Sequence, residues 1–98
     1  MFDIQQTDDF RKWLKKLKDR KARNILLERI NRMKFAHWGD VKPVGEGVRE
    51  FRVHYGPGFR VYFIQMGETV IVLLCGGTKG SQDKDIQKAK QLARILKE

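Results

Sequence analysis

Residues Val48 to Ile64 read VREFRVHYGPGFRVYFI, two runs of β-type alternation on either side of Gly56-Pro57-Gly58. Period-2 alternation marks half-buried strands, and Gly-Pro-Gly supplies the turn between them. The stretch is a β-hairpin, and the rest of the chain is read outward from it. Successive strand side chains point to opposite faces. One face of the first run, Arg49, Phe51, Val53 and Tyr55, enters a core through its middle, while Glu50, Arg52 and His54 make the other face polar throughout. A turn that pairs His54 with Arg60 sets Arg52 opposite Tyr62 and Glu50 opposite Ile64. That register gathers His54, Arg60, Arg52 and Tyr62 onto one patch.

At 98 residues the expectation is a single domain, 1–98, with one core. A hydrophobic content of 41% and interspersed charge describe a folded globule. Cys75 is the lone cysteine, so no intramolecular disulfide forms, and its place in the apolar run Val70 to Cys75 reads as a buried thiol. No leader-like opening and no apolar run near the roughly 18 residues of a membrane span are present, which points to the cytoplasm.

The formal charge is +9, and residues 10–35 hold eleven Lys/Arg against Asp19 and Glu28. The remaining segments therefore balance. A one-signed surface steers oppositely charged partners, so this block reads as a contact for nucleic acid or for an acidic protein, with Lys12, Lys15, Lys16, Arg20, Lys21 and Arg23 as its candidate residues.

Before the hairpin, Phe2 and Ile4 alternate with Asp3 and Gln5, a short edge strand that would pair with the hairpin. Thr7-Asp8-Asp9 supplies a cap and negative charge for a helix from about Asp8 to Lys18. Phe10, Trp13, Leu14 and Leu17 form its apolar stripe. Asp19 can cap a second helix to about Phe35, antiparallel to the first because the connection is short. His37 to Gly47 reads as loop, with His37 and Trp38 as a packing pair. After the hairpin, Met66-Gly67-Glu68 turns into Thr69 to Cys75, a continuous apolar run expected at a sheet centre. Gly76 to Gln82 then leads into a last helix, Asp83 to Lys97, with Ser81 as candidate N-cap. The predicted order is β-α-α-β-β-β-α, an α+β domain with a mainly antiparallel sheet, helices on one sheet face and a polar, cationic opposite face.

Two separated histidines and one cysteine make a closed zinc site implausible, and Ser81 has no evident base. GGTKGS resembles an anion cradle because glycines permit unusual dihedrals ahead of a helix N-terminus, but it lacks the P-loop spacing. The candidate site is a concentration of cations: Arg52, His54 and Arg60 with Tyr62, and Lys79 at the neighbouring strand end. Arginine forks suit phosphate oxygens, so Arg52 and Arg60 could hold a phosphodiester and stabilise charge developing at phosphorus. RNA supplies its own nucleophile in the 2′-OH, leaving the protein to provide base, acid and charge stabilisation. An imidazole ordinarily titrates near pH 6.5, so His54 could be base or acid, and Tyr62 could stack on a base or relay a proton. The alternative is that these side chains only keep a sheet face soluble.

Arg49 to Phe63, REFRVHYGPGFRVYF, together with Val72 to Ile86, VLLCGGTKGSQDKDI, and the closing AKQLARILKE, resembles the RelE/ParE toxin superfamily, in its HigB-like addiction-module killer branch. The resemblance spans nearly the whole chain. It implies a compact RelE-like fold, an antitoxin covering the active face, and ribosome-dependent messenger RNA cleavage by 2′-OH attack on the adjacent phosphate. The residues themselves lead to an expectation of no cofactor and no metal. By the same resemblance Arg52 and Arg60 match cationic hairpin positions, Tyr62 and His54 lie on the same strands, Lys79 matches the lysine after the double glycine, and Gln82 and Asp85 match as well. Two departures stand out: Ser81 to Glu98 holds no tyrosine or histidine, and Thr78 stands where an aspartate is expected. The partner implied is a small helix-turn-helix antitoxin, with ribosome and messenger RNA as targets. The rival readings are a ParE-like gyrase blocker without chemistry and a plain nucleic-acid-binding module built on the basic block. For the main reading, Arg60→Ala is expected to abolish cleavage with the thermal melt nearly unchanged.

Overall fold

The computed structural model describes every residue from Met1 to Glu98. The elements run β1 (Asp3–Gln6), α1 (Asp8–Lys16), α2 (Arg20–Met33), β2 (Val41–Gly45), β3 (Val48–Val53), β4 (Phe59–Met66), β5 (Val70–Thr78), a 3₁₀ turn at Lys79–Ser81 and α3 (Gln82–Lys97). They form an α+β structure around one five-stranded sheet of order β1-β5-β4-β3-β2. All neighbouring strands are antiparallel except β1, which pairs parallel with β5. The expected edge strand at the N-terminus is present, but its partner is β5 rather than the hairpin.

Both N-terminal helices start where their caps predict. Thr7 Oγ1 accepts from the Phe10 amide at 3.0 Å and donates to the Leu74 carbonyl at 2.6 Å, which caps α1 and ties it to β5. Asp19 Oδ1 accepts from the Ala22 amide at 3.1 Å and starts α2. Phe10, Leu26 and Met33 from these helices bury against Phe51, Val61, Phe63 and Leu73 on one face of the sheet.

The opposite face is not left open, which corrects the expectation of helices on one side only. There α3 lays Ala89 and Ala93, flanked by Ile86 and Leu92, over Val48, Tyr62, Ile64, Val72 and Leu74. Every residue from Phe59 to Ile64 is consequently buried, and β4 rather than β5 is the middle strand. A strand covered on both faces reads as a continuous apolar run. The VYFI segment had this character, but Glu50, Arg52 and His54 masked it on the partner strand.

A second correction concerns His37 to Gly47. Val41–Gly45 is a strand, β2, paired with β3. Its Pro43 interrupts the alternation, and a proline lacking an N–H is tolerated because β2 is an edge. The hairpin register also differs from expectation. Arg52 faces Arg60, Glu50 faces Tyr62 and Val53 faces Phe59, so His54 lies in the turn with no strand partner. The turn closes with the Gly58 amide donating to the Tyr55 carbonyl at 3.1 Å, and Gly56 and Gly58 take φ of 57° and 79°. Those left-handed angles need glycine, and the register slides by two, so that Arg52 meets Arg60 instead of the Tyr62 expected opposite it.

A bulge in β5 shifts the register between Tyr62 and Phe63, placing both Leu74 and Cys75 on the α3 side. Burial, then the nearby Asp85, pushes the Cys75 thiol from 9.0 up to about 12. A buried thiol with its value raised favours the folded state below about pH 9, and that contribution is lost as pH climbs toward 12. Native protein at pH 7.5 is therefore expected to resist a chromogenic disulfide reagent, with one thiol per chain reacting in denaturant. Rapid reaction of the native chain would contradict the buried placement. No helix is long and apolar enough to cross a membrane.

Candidate functional site

Strand pairing puts two arginines directly opposite one another, Arg52 on β3 and Arg60 on β4. Like charges in that position repel. Glu50, two residues before Arg52 on the same face, resolves the conflict. Arg60 Nη1 donates to its Oε1 at 3.0 Å, and Gln82 Nε2 at the start of α3 donates to its Oε2 at 2.9 Å. Arg52 Nε lies 3.8 Å from the same Oε1. Glu50 is fully buried and Arg60 is 7% exposed, so this pair sits under α3 rather than on a surface.

From Arg52 the charges alternate outward. Its Nε lies 3.5 Å from Asp40 Oδ2, and the same oxygen is 2.8 Å from His54 Nε2. Side-chain exposure rises along this series from 28% at Arg52 through 40% at Asp40 to 73% at His54. The His54 hydrogen bond, then Arg52 and Arg29, holds the Asp40 carboxyl below the usual carboxylate range. Arg60, Glu50, Arg52 and Asp40 thus form one ladder of alternating sign leading from the core toward solvent, with the His54 imidazole hydrogen-bonded at its exposed end.

Tyr62 faces Glu50 across the strands and is fully buried beneath α3. Its hydroxyl oxygen is enclosed without a hydrogen bond. Burial, then the facing Glu50 and Asp85, drives the phenol far above its ordinary value, so it stays protonated. Lys79 is exposed, and its amide donates to the Gly58 carbonyl at 2.8 Å, which ties the hairpin turn to the end of β5. It borders an open concavity of ≈ 430 Å³ with Gly80, Gln82 and Lys84.

The double glycine serves a different purpose from the anion cradle expected of it. Neither Gly76 nor Gly77 has a positive φ. A Cβ on Gly76 would run into the Trp13 ring, and one on Gly77 would strike the Asp85 carboxylate. They are spaces rather than hinges, and Asp85, bonded to Ser81, fills the cradle with the chain's own negative charge.

Of the basic block, Lys12, Lys15, Lys16, Arg20 and Lys21 are exposed, while Arg23 is half-buried and donates to the Leu17 carbonyl. The nearby acids are taken by other cations, Asp8 by Arg11 and Glu28 by Arg32. Lys21 Nζ lies 5.5 Å over the Tyr55 ring, so the start of α2 abuts the turn that carries His54. Arg29 does further positioning from α2. It donates to the Arg52 carbonyl at 2.7 Å and to the Trp38 carbonyl at 3.2 Å, joining β3 to the segment before Asp40.

Sequence reading missed Asp40 and Glu50. Glu50 had a signal, an acid at i−2 from Arg52 on a strand that begins with buried Val48. Asp40 had none, because it lies in an aperiodic segment and meets His54 only through the fold.

A family profile described as Phage derived protein Gp49-like (DUF891) matches residues 12–97 of the chain. An uncharacterized protein of Haemophilus influenzae is 44% identical over 93 residues, covering 95% of this chain and 94% of its own length.

Proposed function

This chain belongs to the phage-derived Gp49-like family, a RelE-like family of type II toxins, and on that premise we propose that it is a ribosome-dependent messenger RNA endoribonuclease of HigB-like type. Membership in a toxin family brings an antitoxin partner in general. The finer reading is that this partner is a small helix-turn-helix protein, that the targets are messenger RNA and ribosome, and that the toxin works in the cytoplasm.

One observation carries the reading: Arg52 and His54 meet at a single carboxylate on the solvent-facing end of the hairpin. Arg52 grips the phosphate and spreads the charge that develops on it, His54 exchanges the proton, and Lys79 adds a cation across the turn. Arg60 acts from beneath by holding Glu50, while Tyr62 packs in the core under α3, out of reach of a base. The exposed Lys12, Lys15, Lys16, Arg20 and Lys21, with Arg23, give the adjoining face an attraction for ribosomal RNA.

The test is cleavage of a defined message on programmed ribosomes by purified protein. The expected products carry 2′,3′-cyclic phosphate and 5′-hydroxyl ends, and a 2′-deoxy nucleotide at the cut position blocks the reaction. An intact message at excess protein, with inhibition of gyrase supercoiling, would establish the ParE-like alternative instead.

A further inference from the structure

Asp40 lies outside every expectation drawn from the sequence, yet the fold holds it firmly at the exposed end of the charge ladder. Its carbonyl accepts from the Arg52 amide at 3.0 Å. Two residues earlier the Trp38 carbonyl is held by Arg29, whose other nitrogen holds the Arg52 carbonyl. Gly39 between them takes a φ of 67° directly over the Arg29 guanidinium, a placement that a side chain would obstruct. The Asp40 carboxylate is thus tied to β3 on both sides and aimed at His54.

We infer that Asp40 is a positioning residue that turns His54 Nε2 inward and leaves Nδ1 as the atom that takes the 2′-hydroxyl proton. An ionised carboxylate only accepts hydrogen bonds, so the neutral imidazole beside it carries its hydrogen on Nε2 and its lone pair on Nδ1. A base oriented by a third group is the general arrangement for activating a hydroxyl. Arg52 Nε lies 3.5 Å from the same oxygen, too far for a firm hydrogen bond, so His54 is the group that Asp40 orients. The inference rests on the nuclease reading. In the step, the 2′-oxygen to phosphorus bond forms and the phosphorus to 5′-oxygen bond breaks. The 2′-hydroxyl proton passes to His54 Nδ1, and the departing 5′-oxygen takes a proton from solvent. The imidazole's charged partner is Asp40, from the segment before β2, and the groups acting on that carboxylate are His54 itself, Arg52 from β3 and Arg29 from α2.

The experiment is a double-mutant cycle read as single-turnover cleavage on programmed ribosomes. Asp40→Asn and His54→Ala are each expected to slow cleavage roughly a hundredfold, with half-saturating ribosome concentration unchanged. In the His54→Ala background, Asp40→Asn is expected to cost nothing further, because Asp40 acts through His54. Asp40→Glu, which keeps the carboxylate, should recover part of the rate, and Glu68→Gln in an exposed turn controls for net charge. The inference is overturned if Asp40→Asn or His54→Ala cleaves at the wild-type rate, or if the two losses multiply. An inactive wild-type chain would overturn the nuclease reading itself, and that result appears before any variant is made.

Discussion

Arg60→Ala is expected to lower the thermal midpoint by roughly 15–30 °C, so the variant loses its fold rather than its chemistry alone. The substitution leaves Glu50 fully buried with only the Gln82 amide donating to it. Breaking a buried pair by removing one partner costs about 3–5 kcal/mol, because the remaining charge is uncompensated. A domain of this size has about 5–15 kcal/mol in total and shifts roughly 4–8 °C per kcal/mol. This expectation replaces the unchanged melt that an exposed, purely catalytic arginine would give. Replacing both partners with apolar side chains, Arg60→Met with Glu50→Leu, should recover much of the loss. Circular dichroism melts of the single and double variants check it. A single variant that melts within a few degrees of wild type would mean that Glu50 finds another partner.

Arg52→Ala should give the opposite pattern, a loss of cleavage of roughly a hundred- to thousandfold with the fold intact. Its two partners stay satisfied when it is removed, since Glu50 keeps Arg60 and Gln82 while Asp40 keeps His54. Its pair with Asp40 is long and partly solvated, and such a pair contributes about 0–1 kcal/mol, while its 3.8 Å approach to Glu50 is beyond hydrogen-bond reach. Arg52→Lys should recover only part of the rate, because an ammonium cannot present the planar fork that matches a phosphate. Single-turnover cleavage and a melt on the same preparations separate the two quantities. Full activity in Arg52→Ala would remove this residue from the phosphate grip.

The contrast between the two arginines comes from one strand pairing. Both look alike in the sequence, as cations alternating with apolar residues on either side of Gly-Pro-Gly. Which of them reaches solvent depends on α3, whose first residue, Gln82, closes over Glu50 and Arg60 but leaves Arg52 at the rim. The two ends of α3 are both anchored, since Arg94 holds Glu46 in the turn between β2 and β3 at 2.7 and 2.8 Å. Between these anchors Ile86, Ala89, Leu92 and Ala93 rest on the sheet.

By itself the sequence determined the α+β composition, both N-terminal helix caps, the hairpin and the apolar stripe of the first helix. These are local properties, set by side-chain period, capping chemistry and turn residues within a few positions. Tertiary structure decided the rest. β2 depends on an edge position that tolerates Pro43, the register depends on left-handed glycines in the turn, and the double glycine depends on Trp13 and Asp85 arriving from elements far away in the chain. The site divides in the same way. Arg52, His54, Arg60 and Tyr62 were visible as a cluster because one hairpin carries them all. Their separation into a buried pair and an exposed ladder was not visible, because burial and the Asp40 contact are set by segments that meet the hairpin only when the chain has folded.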